Sequence, residues 1–188
     1  MQELVKLIGA SVIGGIVILS ILMLNINMKS SSDSFIQSTY NQYSLITASQ
    51  IVEYDFYKLG YSSSGTAIIQ ADSNSVKFLS DIDNTGTVDT VAYYEDSTPG
   101  IAGISNPRYR HLYRKINNAA STVSLITQFN LAYADSAGTA IPYNQLSLLS
   151  ARKKIKTIQV YIKTELPDPV NGTFSPCEWK EQIRPRNL

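Results

Sequence analysis

The N-terminal part of the chain contains one long apolar block. Residues Leu7–Leu24 hold no charge and no proline, and the only charged residues ahead of them are Glu3 and Lys6. A helix of this length can cross a hydrocarbon layer of roughly 30 Å. The residues before the block are balanced in charge and no small-x-small site follows it, which favours a retained anchor over a cleaved export signal.

A second helical pattern follows the short polar segment Ser30–Ser34. Apolar and aromatic residues recur there every three to five positions, which predicts an amphipathic helix over about residues 33–59 with one buried stripe. The predicted stripe consists of Ile36, Tyr40, Tyr43, Ile46 or Thr47, Ile51, Tyr54 and Leu59. Gly60 is the predicted stop. No proline precedes it, so both segments can form one continuous helix.

Beyond Gly60 the pattern changes to short β-rich runs separated by turn residues, which predicts an antiparallel sheet built after a helix. The predicted strands lie at residues 75–79, 87–94, 111–116, 155–164 and 179–183, and residues 123–133 fit a strand or a helix. Asp83–Gly86 predicts a hairpin turn. The predicted fold class is therefore α+β, a long N-terminal helix packed on a C-terminal antiparallel sheet. The predicted division is an apolar helix at 1–29 and an amphipathic helix plus sheet at 30–188.

Composition narrows the possible partners. About 160 residues follow the anchor, which is enough for one compact domain. Sixteen Lys and Arg residues stand against fifteen Asp and Glu residues, so a net charge of +1 provides no field that would attract nucleic acid. Cys177 is the only cysteine, so no intrachain disulfide can form.

The sequence gives little support for catalysis. His111 is the only histidine and lies in a basic, aromatic strand, and Cys177 has no evident base partner. No phosphate loop, dinucleotide fingerprint or nucleophile elbow occurs, and Gly14 and Gly15 lie inside the apolar helix. We therefore predict a protein that is not an enzyme and needs no cofactor.

The acidic residues Asp81, Asp83 and Asp89 resemble the first half of a calcium-binding loop. Oxygen donors occupy relative positions one, three, five and nine, with Gly86 at position six. The closing acid is missing, because Ala92 stands at position twelve. A hairpin turn whose side chains bond their own backbone explains the same pattern. We therefore expect weak calcium binding at best.

The order of these features resembles that of type IV pilins and pseudopilins, and most closely the W-type minor pilins and J-type minor pseudopilins. The resemblance covers most of the chain, and each motif by itself is degenerate. The motifs that carry it are Glu53–Tyr61, Asp81–Tyr93, Leu112–Arg114, Phe129–Tyr133, Ile155–Ile158 and the ending Trp179–Leu188. Glu3 stands where a mature pilin has a glutamate at its fifth position.

The resemblance implies a structural subunit of a type IV pilus or pseudopilus. Its partners would be other copies of itself or related pilins, with the membrane holding the helix before assembly and an extracellular filament holding it afterwards. In such filaments the early glutamate neutralises the N-terminal amine of a neighbouring subunit, a role that falls here on Glu3. Gly14 and Gly15 would allow close helix approach. Alternatively, Glu3 only complements the helix dipole and the glycines are incidental.

A second class of function fits the same sequence. The chain could be a monomeric, membrane-anchored binding or sensor domain, or an adhesin supported by calcium, displayed outside the cytoplasmic membrane. An anchor needs only general hydrophobicity, whereas a filament subunit also needs an early acid and small residues along the helix. This chain has both of these additional features.

Overall fold

The structure is a computed structural model that describes residues 1–170 and 172–188. It confirms the predicted α+β class, with a long helix α1 at Gln2–Tyr57 followed by antiparallel strands. A 3-10 turn at Tyr143–Gln145 and the short helix α2 at Leu149–Arg152 interrupt the strand series. The strands are β1 Ile68–Ala71, β2 Ser75–Ser80, β3 Asp89–Glu95, β4 Arg110–Ile116, β5 Ala119–Ile126, β6 Gln128–Ala134, β7 Thr157–Glu165 and β8 Pro176–Ile183.

The strands form two antiparallel sheets where the sequence predicted one. Sheet A has the order β1-β2-β3-β4-β5, and sheet B has the order β6-β7-β8. Only Thr127 separates β5 from β6, and its N–H donates to the carbonyl of Lys163 at 2.8 Å. The ambiguous run 123–133 therefore consists of two strands that belong to different sheets. No turn residue marks the boundary between them.

Most strand predictions are confirmed to within a few residues. The predicted hairpin is present, because β2 pairs with β3 from Ser75↔Tyr94 to Ser80↔Asp89. Strand β1 was not predicted, because it has only four residues and no clear alternation.

The chain divides into two compact units, Met1–Thr39 and Tyr40–Leu188. The first unit is helical, and its residues from Met1 to Asp33 are all exposed. The second unit contains the remainder of α1 together with both sheets. Within it, the side chain of Ser44 bonds that of Ser124 in β5 at 2.9 Å, and Thr164 in β7 donates to Asn41 at 2.7 Å.

The predicted buried stripe of the amphipathic helix is wrong for most of its members. Tyr40 and Tyr43 are each 73% exposed, and Ile36, Ile46 and Tyr54 are exposed as well. The stripe was assigned by hydrophobicity, but the helix presents small and mixed residues to the sheets. The residues of α1 that are buried are Leu45, Ala48, Ser49, Val52, Asp55 and Phe56.

The helix ends where the sequence predicted a stop. Helical geometry ends at Tyr57, and Gly60 adopts a positive φ of 82°. A β-carbon on Gly60 would lie 2.9 Å from the carbonyl oxygen of Asn187, so both backbone geometry and space require glycine there. Leu59, from the predicted stripe, is fully buried beside this turn.

Candidate functional site

The apolar half of α1 exposes nearly all of its large side chains. An 18-residue window of this helix has a mean hydropathy of 2.6, and no part of the window is buried. By length and composition the helix could span a membrane. Its hydroxyls are satisfied internally, because Ser11 and Ser20 donate to the carbonyls of Ile8 and Ile16 at 2.8 and 2.9 Å. The segment therefore presents apolar atoms around its whole circumference.

Glu3 lies in the first turn of α1 and is fully exposed. Its carboxylate accepts a bond from the Lys6 ammonium at 2.8 Å, one turn along the same helix. An exposed pair of this kind contributes only about 0.5 kcal/mol. Glu3 therefore remains free to exchange this partner for a stronger one at little cost.

Gly14 and Gly15 lie next to each other in the middle of the apolar segment. A β-carbon added to either glycine would meet no atom within 4 Å. The conformation of α1 itself therefore does not require glycine at these two positions, and glycine costs a helix up to about 1 kcal/mol relative to alanine. The space beside both positions is open.

The structure brings the three predicted metal-binding aspartates together at the β2–β3 hairpin, with Asp81 and Asp83 in the loop and Asp89 at the start of β3. One carboxylate oxygen from each of Asp81, Asp83 and Asp89 lies within 4.8 Å of the others. Asp81 and Asp89 are buried and Asp83 is exposed. The loop can therefore bring carboxylate oxygens near one point, as a hard cation would require.

The same carboxylates already accept hydrogen bonds, both from the loop itself and from Asn117 between β4 and β5. Asp81 accepts from the N–H groups of Thr85 and Gly86, both at 3.0 Å, and Asn117 donates to Asp89 at 2.8 Å. The Thr85 hydroxyl and N–H also bond Asp83, which lowers the pKa of that carboxyl below its ordinary value. The bonds within the loop are those of a turn whose side chains bond their own backbone, the alternative to a metal site.

Lys58 places a positive charge beside this loop. Its ammonium donates to the Ile82 carbonyl at 2.8 Å and to the Asn84 side chain at 2.9 Å. Both acceptors are oxygens of the kind that calcium would use. The ammonium holds two oxygens of the loop that lie outside the set Asp81, Asp83 and Asp89, and its positive charge beside that set disfavours a bound cation.

Sequence reasoning missed a buried polar cluster that joins α1 to sheet A. The carboxylate of Asp55 is fully buried and is held by both Nε and Nη2 of Arg114, at 2.5 and 2.8 Å. The Tyr93 hydroxyl donates to the same carboxylate at 2.6 Å. Burial, with the negative charge of Asp55 beside it, raises the pKa of Tyr93 far above its ordinary value. Asp55 and Arg114 are 59 residues apart, so only their opposite charges, each within an apolar pattern, could have hinted at the pair.

The two residues considered for catalysis lie in separate surroundings. The Nδ1 atom of His111 lies 2.7 Å from a carboxylate oxygen of Asp96, and this bond lowers the pKa of Asp96. Cys177 is a half-buried thiol at the start of β8.

Comparison with protein-family models, with curated proteins and with solved structures finds no match for this chain. The long N-terminal helix and antiparallel sheets are nevertheless pilin-like in architecture.

Proposed function

We propose that this protein is a non-catalytic structural subunit of a type IV pilus or pseudopilus-like filament that assembles through the N-terminal half of α1. The observation that carries the proposal is the fully exposed apolar segment 7–24 attached to a folded α+β unit. Such a surface needs either lipid or other helices around it, because exposed apolar area of this extent is unfavourable in water. In a filament, neighbouring helices would replace the lipid.

Two further features distinguish assembly from simple anchoring. Glu3 carries a charge that only a weak intrahelical pair satisfies, so it can neutralise the N-terminal amine of a neighbouring subunit. Gly14 and Gly15 leave open space on the helix and would allow another helix to approach closely. The partners would be copies of this chain or related pilins, first in the cytoplasmic membrane and then in a filament at the cell surface.

The first prediction concerns Glu3. Glu3→Ala should abolish surface filaments while leaving the folded unit intact, because it removes the charge that would satisfy the neighbouring amine. The measurement is electron microscopy of filaments sheared from cells that produce the full chain with a filament-assembly machinery. Thermal unfolding of the detergent-extracted chain reports the integrity of the folded unit.

Gln2→Ala is the matched control, because it changes the adjacent exposed side chain without removing a charge. Mass spectrometry of the sheared material identifies the chain and its N-terminus. Filaments of normal number and length from Glu3→Ala would disprove the role of Glu3.

The second candidate function is a monomeric, membrane-anchored binding, sensor or adhesin domain outside the cytoplasmic membrane. The helix that supports assembly also satisfies the requirements of a single-span anchor. Recovery of the wild-type chain only as a detergent-extracted monomer, with none in sheared filaments, would favour this function.

A further inference from the structure

The two sheets end in four edge strands, β1 and β5 in sheet A and β6 and β8 in sheet B. An edge strand presents a row of N–H and C=O groups that another strand can pair with, so folded proteins usually cover or charge such edges. The covering and the charge of each edge therefore indicate where another strand can bind.

Two of the edges are covered by the chain itself. The Leu131 N–H of β6 donates to the Ser73 carbonyl at 2.7 Å, and the Tyr133 carbonyl accepts from the Ile141 N–H at 2.8 Å. Helix α2 packs beside β1. β6 is therefore bonded along part of its edge, and β1 is a strand of only four residues with α2 beside it.

The other two edges are open and differ in charge. β8 begins with Pro176 and carries Glu178, Lys180 and Glu181. The first half of β5, Ala119–Thr122, is exposed and holds neither a charge nor a proline. A bulge places Val123 as an extra residue opposite Leu112 and Tyr113, so it protects only the end of this segment. Within the described residues, β5 is thus the edge with the least protection.

A groove of about 420 Å³ runs beside this edge. β5 forms one wall with Ser121, Thr122 and Val123, and α1 forms the other. The helix wall consists of Thr47, Gln50, Ile51 and Tyr54. A strand added to β5 would therefore gain backbone hydrogen bonds on one side and contacts with Ile51 and Tyr54 on its helix-facing side.

The floor of the groove is formed by the Asp55–Arg114 pair. Arg114 uses Nε and Nη2 for Asp55, and its Nη1 has no hydrogen-bond partner among the residues that the structure describes. The side chain of Arg114 is 23% exposed. An acidic side chain on the helix-facing side of an added strand would find this donor.

We propose that the occupant of the groove is β8 of a second copy of this chain, so that neighbouring subunits join sheet A to sheet B. Charge supports this partner, because β8 brings Glu181 on its core-facing side while β5 has no charge to oppose Lys180 or Glu178. Pairing of β5 with β5 about a two-fold axis is disfavoured. It would place two uncharged segments Ala119–Thr122 side by side, so Arg114 of neither copy would find an acidic partner there.

Pairing of two different edges also has the symmetry that a filament needs. A contact between different surfaces of identical subunits repeats without closing and produces an open helical array. The inference therefore rests on the proposed function and names the contact between folded units that would accompany packing of the apolar helices.

Disulfide trapping between copies tests this contact. Paired strands place facing Cα atoms about 4.5–5.5 Å apart, within the range that a disulfide can bridge. In a Cys177→Ser background, one copy carries Thr122→Cys and a differently tagged copy carries Lys180→Cys, Glu178→Cys or Gln182→Cys. Thr122 is exposed on β5, and Glu178, Lys180 and Gln182 are exposed positions of β8 that alternate with its less exposed residues. Both copies are full-length chains produced together in the membrane, and oxidation should give a mixed dimer that joins the two tags.

Several outcomes would overturn the proposal. One is the absence of a mixed dimer with each of the three β8 positions. Another is a mixed dimer of the same yield when the second copy carries Ser136→Cys, an exposed turn position away from both edges. Predominant trapping between two Thr122→Cys copies would instead indicate β5–β5 pairing.

A charge test measures assembly separately. Ser121→Lys together with Thr122→Lys should reduce filament number at least tenfold, with the melting temperature of the detergent-extracted chain unchanged, whereas Ser136→Lys should assemble normally. Normal filaments from the double variant would refute edge pairing and leave the proposed function standing. If the wild-type chain forms no filaments, the proposed function fails, and trapping in the membrane still decides whether the two edges pair.

Discussion

At the scale of single residues, the pairing of Asp55 with Arg114 fixes the position of α1 on sheet A. The carboxylate is completely buried, whereas the guanidinium reaches solvent through the groove. The hydrogen bond from Arg114 to Asp55 raises the pKa of the guanidinium above its ordinary value. Because the two partners differ in exposure, removing Arg114 and removing Asp55 should lower the stability of the folded unit by different amounts.

Arg114→Ala should destabilise the folded unit by about 3–5 kcal/mol, because it leaves a buried carboxylate without its counter-charge. Asp55→Asn should cost less, about 1–3 kcal/mol, because the exposed guanidinium can be hydrated and the amide oxygen still accepts from Tyr93. Denaturant unfolding of the full chain in detergent measures both variants. A larger loss for Asp55→Asn than for Arg114→Ala would contradict this account.

Glu165 is a second buried acid, at the end of β7. Arg108 and Lys163 pair with its carboxylate at 2.6 and 3.3 Å, and the Asn106 amide donates to it at 3.0 Å. Burial by itself raises the pKa of Glu165, but the hydrogen bonds from Asn106 and Lys163 and the charge of Arg108 bring it below its ordinary value of 4.5. The folded state therefore holds the ionised form more firmly than the unfolded chain does.

The sign of the pH dependence follows from this lowered pKa. The stabilisation by Glu165 is complete above the unfolded pKa and is lost as pH falls through the lower folded value, so wild-type stability should fall below about pH 5. Glu165→Gln should be less stable than wild type at pH 7 and should lose less stability on acidification. Thermal unfolding at a series of pH values tests this, with Glu181→Gln as a control that keeps the wild-type slope. Parallel curves for wild type and Glu165→Gln would disprove it.

At the scale of elements, the β2–β3 loop is a turn stabilised by its own side chains. Its carboxylates accept backbone N–H groups, and Lys58 holds two further oxygens. Calcium binding at the three aspartates would have to break several of the bonds from backbone N–H groups, and no bidentate acid at position twelve would compensate. We therefore expect calcium binding to this loop to be weak.

We accordingly expect the melting temperature of the full chain to stay constant in millimolar calcium, the range in which weak extracellular sites fill. Differential scanning calorimetry with calcium, and with magnesium for comparison, is the measurement. A rise of several degrees with calcium alone, lost in Asp83→Asn, would show that the loop binds the ion.

Some properties of α1 could be predicted from its sequence pattern and others could not. Its extent and its stop at Gly60 follow from local rules of periodicity, absence of proline and turn chemistry. The prediction of its orientation was wrong, because Tyr40 and Tyr43 were counted as buried positions, whereas the buried face contains Leu45, Val52 and Phe56. Ala48 and Ser49 lie at the contact because small side chains let the helix approach the strands closely. Tertiary packing, and not local sequence, decides which residues of the helix meet the sheets.

At the scale of the whole molecule, the fold class and most strands were predictable because alternation and turn residues are local signals. The division into two sheets was not, since Thr127 between β5 and β6 carries no turn signal and its position depends on β7, some 30 residues later. The three aspartates of the loop were found because they are close in sequence. The groove beside β5 and the Asp55–Arg114 pair were not, because they join segments that only the folded chain brings together.

The strand order of sheet A also bears on how the chain folds. Each of its strands pairs with its neighbour in sequence, so the five-stranded meander contains mainly short-range pairings, and chains rich in such contacts fold quickly. In sheet B, β7 must find β6 across an intervening segment of more than twenty residues, which costs more loop entropy. We therefore expect the meander to form early and sheet B to complete last. Until it does, Trp179 of β8 lacks its place against the core, so the fluorescence of this single tryptophan should report the final step of folding.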